Sequence, residues 1–286
     1  MFNEIDKKII AYACGAGGKI DGCKDAPDHL YKSDLAKIIN ARWLDIYRSA
    51  KKNSYDIVRD HCQHLCKDVS EIVRSGGFPI AIGGDHSMAI GTFSGVTTAL
   101  KAEGEFGLIW FDAHMDSHTV STTESGAIHG MPLACLLGYG DKKLCQISSH
   151  KAKINPKHVC LIGVRSFDAG EKKLINDLGV KIYYMDEVRE RGLLSIVEEA
   201  KKIVKQNTKA YGVTIDIDAF DPKYAPATGA LEDGGLNAIE TIEAFKLFAK
   251  DDDLKVVEIA EYNHYLDESD ITYKLITNLL RSVFAE

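Results

Sequence analysis

Seven short apolar runs punctuate the chain, and between them lie longer segments whose apolar residues recur every three or four positions. The runs are "KIIAYAC", "PIAIGG", "FGLIWFDAH", "HVCLIGV", "KIYYM", "YGVTIDID" and "KVVEIAEY". Each has the length of a strand, and several are apolar on both faces, as parallel strands covered by helices on each side must be. The helical period covers about 55–74, 87–102, 170–178, 191–206, 237–250 and 269–284, and Gly76 with Gly77 supplies a C-terminal stop for the first segment. Strand and helix alternating over the whole length predict a three-layer α/β/α fold around a central, mostly parallel sheet. No linker, repeat or low-complexity tract breaks the pattern, so residues 1–286 are expected to form a single domain.

A chain of 286 residues buries roughly 75% of its unfolded surface and needs no covalent staples. Its seven cysteines sit mostly inside apolar runs and are expected to be reduced core thiols. "HCQHLC" at 61–66 puts Cys62 and Cys66 on one face of a helix, and no second cluster with zinc-finger spacing accompanies it. The net charge of −7 argues against a nucleic-acid or anionic-membrane partner. The N-terminal stretch has neither the pattern of a signal peptide nor the length of a span, and the expected location is the cytoplasm.

Ligands of open parallel sheets bind beyond the carboxyl ends of the strands, and four strand ends here carry unusual chemistry. "PIAIGGDHS" ends in Asp85 and His86. "FGLIWFDAHMDSH" ends in Asp112, His114, Asp116 and His118. "YGVTIDIDAFDP" ends in Asp216, Asp218 and Asp221, and "KVVEIAEYNH" in Glu258, Glu261 and His264. Residues two apart on an extended chain point the same way, so Asp112, His114 and Asp116 share a face if the strand continues that far, as do Asp216 and Asp218.

Carboxylates converging in a buried place repel one another, and desolvation raises their pKa values; a divalent cation removes both problems. The candidate ligands are His86, Asp112, His114, Asp116, Asp216 and Asp218, an oxygen-rich set that favours manganese over a thiolate-bound zinc. Six ligands exceed what one ion with an open position can use. If the two most central aspartates bridge, the set suits two ions sharing an activated water. Lone aspartates after strands are often helix caps or turn formers, and Asp221 in "FDP" fits that role. Clusters on several separate strand ends do not reduce to capping.

The motifs "GGDHS", "FDAHMD", "SGAIHGMP", "DIDAFDPKYAPATG" and "EIAEYN", in this order and spacing, resemble those of the ureohydrolases, the arginase and agmatinase family. The resemblance spans about 79–263 and is nearest to the arginases. It implies an arginase/deacetylase-like α/β fold with two manganese ions per subunit. One would take His86, Asp112, Asp116 and Asp216; the other would take His114, Asp112, Asp216 and Asp218. A hydroxide bridging the metals would then hydrolyse a guanidino group, most readily that of L-arginine, to urea. The implied catalytic residues are His129 as proton shuttle, Glu261 as partner of the guanidinium, and Asp116. The bland alternative for His129 is a packing histidine near a helix start.

"TVSTTESGAIHGMPLA" resembles the arginase loop that grips an α-carboxylate, with Thr123 and Ser125 as its hydrogen-bonding residues. "RSFDAGE" resembles the segment that meets the α-ammonium, through Asp168 and Glu171. The chain departs from the usual arginase pattern at His118 and Ala127, where asparagine is usual, at Ala230, where threonine is common, and at "YNH", residues 262–264. His118 either binds a carboxylate as an imidazolium or accompanies a different substrate tail, such as that of agmatine, guanidinobutyrate or formiminoglutamate. A single-zinc deacetylase and a non-catalytic scaffold of the same architecture are the other readings. The resemblance also implies a homo-oligomer, a trimer or hexamer.

Overall fold

The computed structural model describes residues 5–101, 104–149 and 151–284. Eight strands form one sheet: β1 (Lys7–Ala11), β2 (Arg42–Trp43), β3 (Phe78–Ile82), β4 (Glu105–Phe111), β5 (Val159–Val164), β6 (Lys181–Tyr184), β7 (Thr208–Asp216) and β8 (Leu254–Ala260). Their spatial order is β2-β1-β3-β8-β7-β4-β5-β6, and every neighbouring pair is parallel. Seven of these correspond to the apolar runs. β2 was not expected: two residues at a sheet edge, one exposed and one partly buried, carry no apolar run for a pattern to detect.

Alternation along the strands sorts side chains into two cores, one on each side of the sheet. On β4, Leu108 and Trp110 pack with the helices Ser54–Arg74 and Met88–Leu100, while Ile109 and Phe111 face Leu193–Val204, Ala238–Phe245 and Ile271–Phe284. This is the expected α/β/α sandwich. The helix expected over 191–206 is present as Leu193–Val204, and a further helix that was not expected, Met185–Arg191, precedes it across Gly192 at φ +79°.

The Ser54–Arg74 helix stops at the expected glycine pair. Gly76 takes φ +79°, and its N–H and that of Gly77 bond to the carbonyls of Val73 and Ile72. Cys62 and Cys66 on this helix are buried where it crosses Met88–Leu100. A Cβ at Gly91 would lie 2.7 Å from the Cys62 carbonyl oxygen, so the two helices meet backbone to backbone. That close crossing accounts for "HCQHLC" by packing, and all seven cysteines are free thiols. No helix among the described residues is long and apolar enough to cross a membrane.

Candidate metal centre and substrate cavity

The four strands whose ends carry the acidic and histidine clusters are the four central neighbours, β3, β8, β7 and β4. Their carboxyl ends therefore open onto one place. Apart from Asp216, the last residue of β7, the candidate ligand residues arrive there from loops or turns, which corrects the expectation of a shared strand face. β4 stops at Phe111, and Asp116 adopts φ +47°, a left-handed conformation outside any strand. Asp218 lies in a 3-10 turn, Ile217–Ala219, after β7 has ended at Asp216. The pleat alternation ends with the sheet hydrogen bonds. Local bonds then aim the carboxylates: the His114 N–H donates to Asp112 Oδ1 at 2.6 Å, Ala113 N–H to Asp218 Oδ1 at 3.2 Å, and Asp218 N–H to Asp216 Oδ1 at 2.9 Å.

Two groups of possible ligand atoms result at these strand ends, and a third, His118, Asp168 and Glu171, lies apart from them. His86, Asp112, Asp116 and Asp216 form one, and Asp112, His114 and Asp218 the other. Asp112 belongs to both. His86 Nδ1 faces three carboxylate oxygens at once, Asp112 Oδ2 at 3.2 Å, Asp116 Oδ2 at 3.0 Å and Asp216 Oδ2 at 3.1 Å. In the second group, His114 Nδ1 is 3.1 Å from Asp218 Oδ2 and 3.4 Å from Asp112 Oδ1.

The hydrogen bonds behind His86 decide what its Nδ1 offers. The Thr214 hydroxyl donates to Glu258 Oε1 at 2.8 Å, so at 2.9 Å from His86 Nε2 it accepts the Nε2–H. In the neutral ring Nδ1 is then a lone pair, buried and without a hydrogen-bond partner among the described residues, as is Asp116 Oδ2. A lone pair pointed at three carboxylate oxygens is repulsive unless a cation lies between them. Burial and the neighbouring Asp112 charge push the Asp116 carboxyl up to about 7, and burial with the Asp218 and Asp112 charges raises Asp216 well above the usual range. The residues present fit a metal, and they fit it through oxygen and imidazole.

Trp110, Thr214 and Glu258 complete this support. The Trp110 indole N–H donates to Asp112 Oδ2 at 2.8 Å, and its ring stacks on His86. Trp110 and Thr214 lie two residues before Asp112 and Asp216 on their strands, so period-two alternation is the signal that could have found them. Asp85, which no role was assigned in advance, accepts the Gly17 N–H at 2.9 Å. The Gly17 carbonyl in turn accepts the N–H groups of Ile128 and His129, so the glycine-rich first loop ties Asp85 to the His129 turn.

A cavity of about 510 Å³ opens over the centre. His114, Asp116, Asp216, Asp218, His129 and Glu261 line it on the metal side. His129 Nδ1 lies 2.9 Å from Glu261 Oε1, which also accepts the His86 N–H at 2.9 Å. Burial opposes charge on His129, but the bond and charge of Glu261 outweigh it and hold the imidazole up to about 10. Burial would raise Glu261, yet His129 keeps its carboxyl below the usual value.

His118, Ser125, Ala127, Asp168, Glu171 and Ala230 also line the cavity, as does Lys19, which the sequence reading missed. His118 Nε2 is 3.1 Å from Asp168 Oδ2 and 3.4 Å from Glu171 Oε2. Glu171 is a brace as well, accepting the N–H groups of Ser117 and Asp168. Thr123 is not among the lining residues; its hydroxyl accepts the Gly126 N–H, while Ser125 accepts that of Ala127. His264 stacks on His29 outside the cavity, and Asp221 accepts the Lys223 N–H, the turn role expected of it.

Convergent carboxylates and imidazoles under a cavity with a histidine–glutamate pair define a hydrolase of the ureohydrolase type, and comparison with known proteins agrees. Residues 9–285 match the model of the arginase family, and the chain belongs to that family. It is 42% identical to the arginase of Bacillus caldovelox over 224 residues, 78% of this chain and 74% of that protein. The crystal structure of arginase from Bacillus subtilis superposes with a TM-score of 0.91 at 30% identity, covering 98% of this chain and 99% of that one. The Entamoeba histolytica arginase in complex with L-ornithine also superposes with a TM-score of 0.91, at 28% identity, covering 99% of both chains.

Proposed function

We propose that this chain is a single-domain, manganese-dependent arginase that hydrolyses L-arginine to L-ornithine and urea. The observation that carries the reading is the His129–Glu261 pair standing beside two ligand clusters that share Asp112. His86, Asp112, Asp116 and Asp216 would hold one ion; His114, Asp112 and Asp218, with Asp216 beside them, would hold the other. Bound there, a pair of divalent ions lowers the pKa of water and offsets negative charge in the transition state.

The chain's own residues do the rest. Glu261, ionised and held by the His86 N–H, pairs with the guanidinium through charge-assisted hydrogen bonds. His129 carries a proton; with Nδ1 engaged by Glu261, Nε2 is the nitrogen that delivers it to the departing amine. Asp116 contributes as a ligand on the cavity wall. Asp168 and Glu171 receive the α-ammonium of the substrate, and Ser125, together with His118, serves its α-carboxylate, while Thr123, off the cavity wall, holds the loop through the Gly126 N–H. Similarity to an arginase whose structure contains L-ornithine supports an amino-acid tail. The resemblance to the family supports a cytoplasmic homo-oligomer, a trimer or hexamer, which sedimentation would measure.

The test is a panel of L-arginine, agmatine, 4-guanidinobutyrate and formiminoglutamate, scored by urea or formamide release with and without added manganese. Arginine is expected to be the preferred substrate, with two manganese ions per subunit by elemental analysis. Activity on agmatine with none on arginine overturns the substrate assignment. A single zinc per subunit overturns the two-ion centre.

A further inference from the structure

Beyond the ligands themselves, one side chain reaches three segments of the site. Arg165 follows β5, half-buried, and its guanidinium donates to the carbonyls of Gly163 at 3.1 Å, Asp218 at 2.7 Å, Ala219 at 3.2 Å, Phe220 at 3.3 Å and Glu232 at 2.8 Å, with Nε bonded to Asp233 at 3.1 Å. Every hydrogen bond it makes among the described residues goes to a carbonyl oxygen. The fork therefore joins the end of β5, the turn that carries Asp218, and the turn at 232–235.

That third segment returns to the centre. Glu232 Oε1 lies 3.6 Å from His114 Nε2, an ion-pair approach rather than a hydrogen bond. A carboxylate on this side favours a proton on Nε2 and leaves the Nδ1 lone pair toward Asp218 and Asp112. The packing admits no slack: a Cβ at Gly235 would lie 2.5 Å from the Arg165 guanidinium and 2.4 Å from the Phe220 carbonyl carbon. A lysine has one ammonium with three donors and cannot span three segments as a planar five-donor fork does.

We propose that Arg165 and the Glu232 turn it clasps are positioning residues for the His114/Asp218 half of the metal centre, and that the His86 half does not depend on them. The asymmetry is in the contacts. His86 is set by Thr214, Glu258 and Trp110, none of which Arg165 touches. Asp218 is held through its own carbonyl by Arg165, and His114 through its outer nitrogen by Glu232.

This inference rests on the two-ion reading, and the experiment separates the two. Metal-free full-length protein is titrated with Mn²⁺ by calorimetry, for wild type, Arg165→Lys and Glu232→Gln, with melting temperatures recorded in parallel. Wild type is expected to take two ions. Arg165→Lys should bind its first ion within about threefold of the wild-type affinity and its second at least about tenfold more weakly. Glu232→Gln, an isosteric change at a partly exposed side chain, should keep the wild-type melting temperature and weaken the second ion at least about threefold.

Two ions bound at wild-type affinity in both variants overturn the proposal, and so does equal weakening of both ions. If Arg165→Lys does not fold, Glu232→Gln decides alone by the same criterion. A wild type that takes no second ion overturns the two-ion reading itself, and this inference with it.

Discussion

Glu261 Oε1 accepts from two residues at once: the His86 backbone N–H and the His129 ring, each at 2.9 Å. The residue that pairs with the proposed proton carrier thus also braces the turn of a candidate metal ligand. Glu261 itself takes φ +64°, a left-handed conformation that costs a non-glycine residue about 1–2 kcal/mol, and a 2.7 Å bond from its N–H to the Gly84 carbonyl holds it there. Backbone strain at this one residue places its carboxylate between the two histidines.

Because His129 touches no ligand atom of the metal centre, its loss should separate chemistry from metal binding. His129→Asn is expected to keep both manganese ions and to lower kcat by about 10²- to 10⁴-fold. Elemental analysis alongside steady-state kinetics checks both halves. A kcat within tenfold of wild type removes His129 from proton transfer.

Thr214 decides which His86 nitrogen is free, so Thr214→Val keeps the side-chain shape and releases the tautomer. Manganese affinity is expected to fall about 10- to 100-fold, as for other residues that orient a ligand from behind. Glu258, which burial pushes up to about 7, loses its hydroxyl donor in the same variant. Unchanged manganese binding would sink the tautomer argument.

His118 stands with Asp168 and Glu171 rather than with the two metal clusters. If it serves the substrate tail, that contact is equal in the ground and transition states. His118→Ala should then raise KM for arginine about tenfold, with kcat within about threefold. The KM of agmatine, which lacks the carboxylate, should move less. A fall in kcat at constant KM would assign His118 to the chemistry instead.

His61 is buried against Tyr12 and belongs to neither candidate ligand group, and its Nε2 accepts the Ser49 N–H at 3.2 Å, a bond that only the neutral ring can make. Burial depresses its pKa to about 4, below the ordinary 6.5. The unfolded chain therefore binds the proton first as pH falls. The stability this group contributes is complete above about pH 6.5 and is lost progressively toward pH 4, a difference of about 2–3 kcal/mol. Urea unfolding at pH 7.5, 5.5 and 4.5 should show His61→Gln losing less stability than wild type over that range. Parallel losses in the two proteins would contradict it.

Much of the fold is legible in the residues. β3, β5 and β8 are short apolar runs, and the long helices show their period and, at Gly76, their stop, because each is a local pattern imposed by burial on one or two faces. β2 is too short to show one, and the helix Met185–Arg191, only 7 residues long, is likewise too brief to show its period. The six candidate ligand positions stand out for a different reason. Carboxylates and imidazoles clustered on several core strand ends exceed what capping and turns require, so the clusters point to a cation.

The sequence by itself determined which elements form, which faces they bury and which side chains are able to chelate. Only the tertiary structure decided that the ends of β3, β8, β7 and β4 are neighbours, since parallel pairing runs through long crossovers that local propensity does not encode. It also decided that loops, not a strand face, aim Asp116 and Asp218, and that Arg165 clasps the turn of one to the turn bearing Glu232. Those relations join residues far apart in the chain, and they exist only once the backbone carbonyls that Arg165 binds have been brought together.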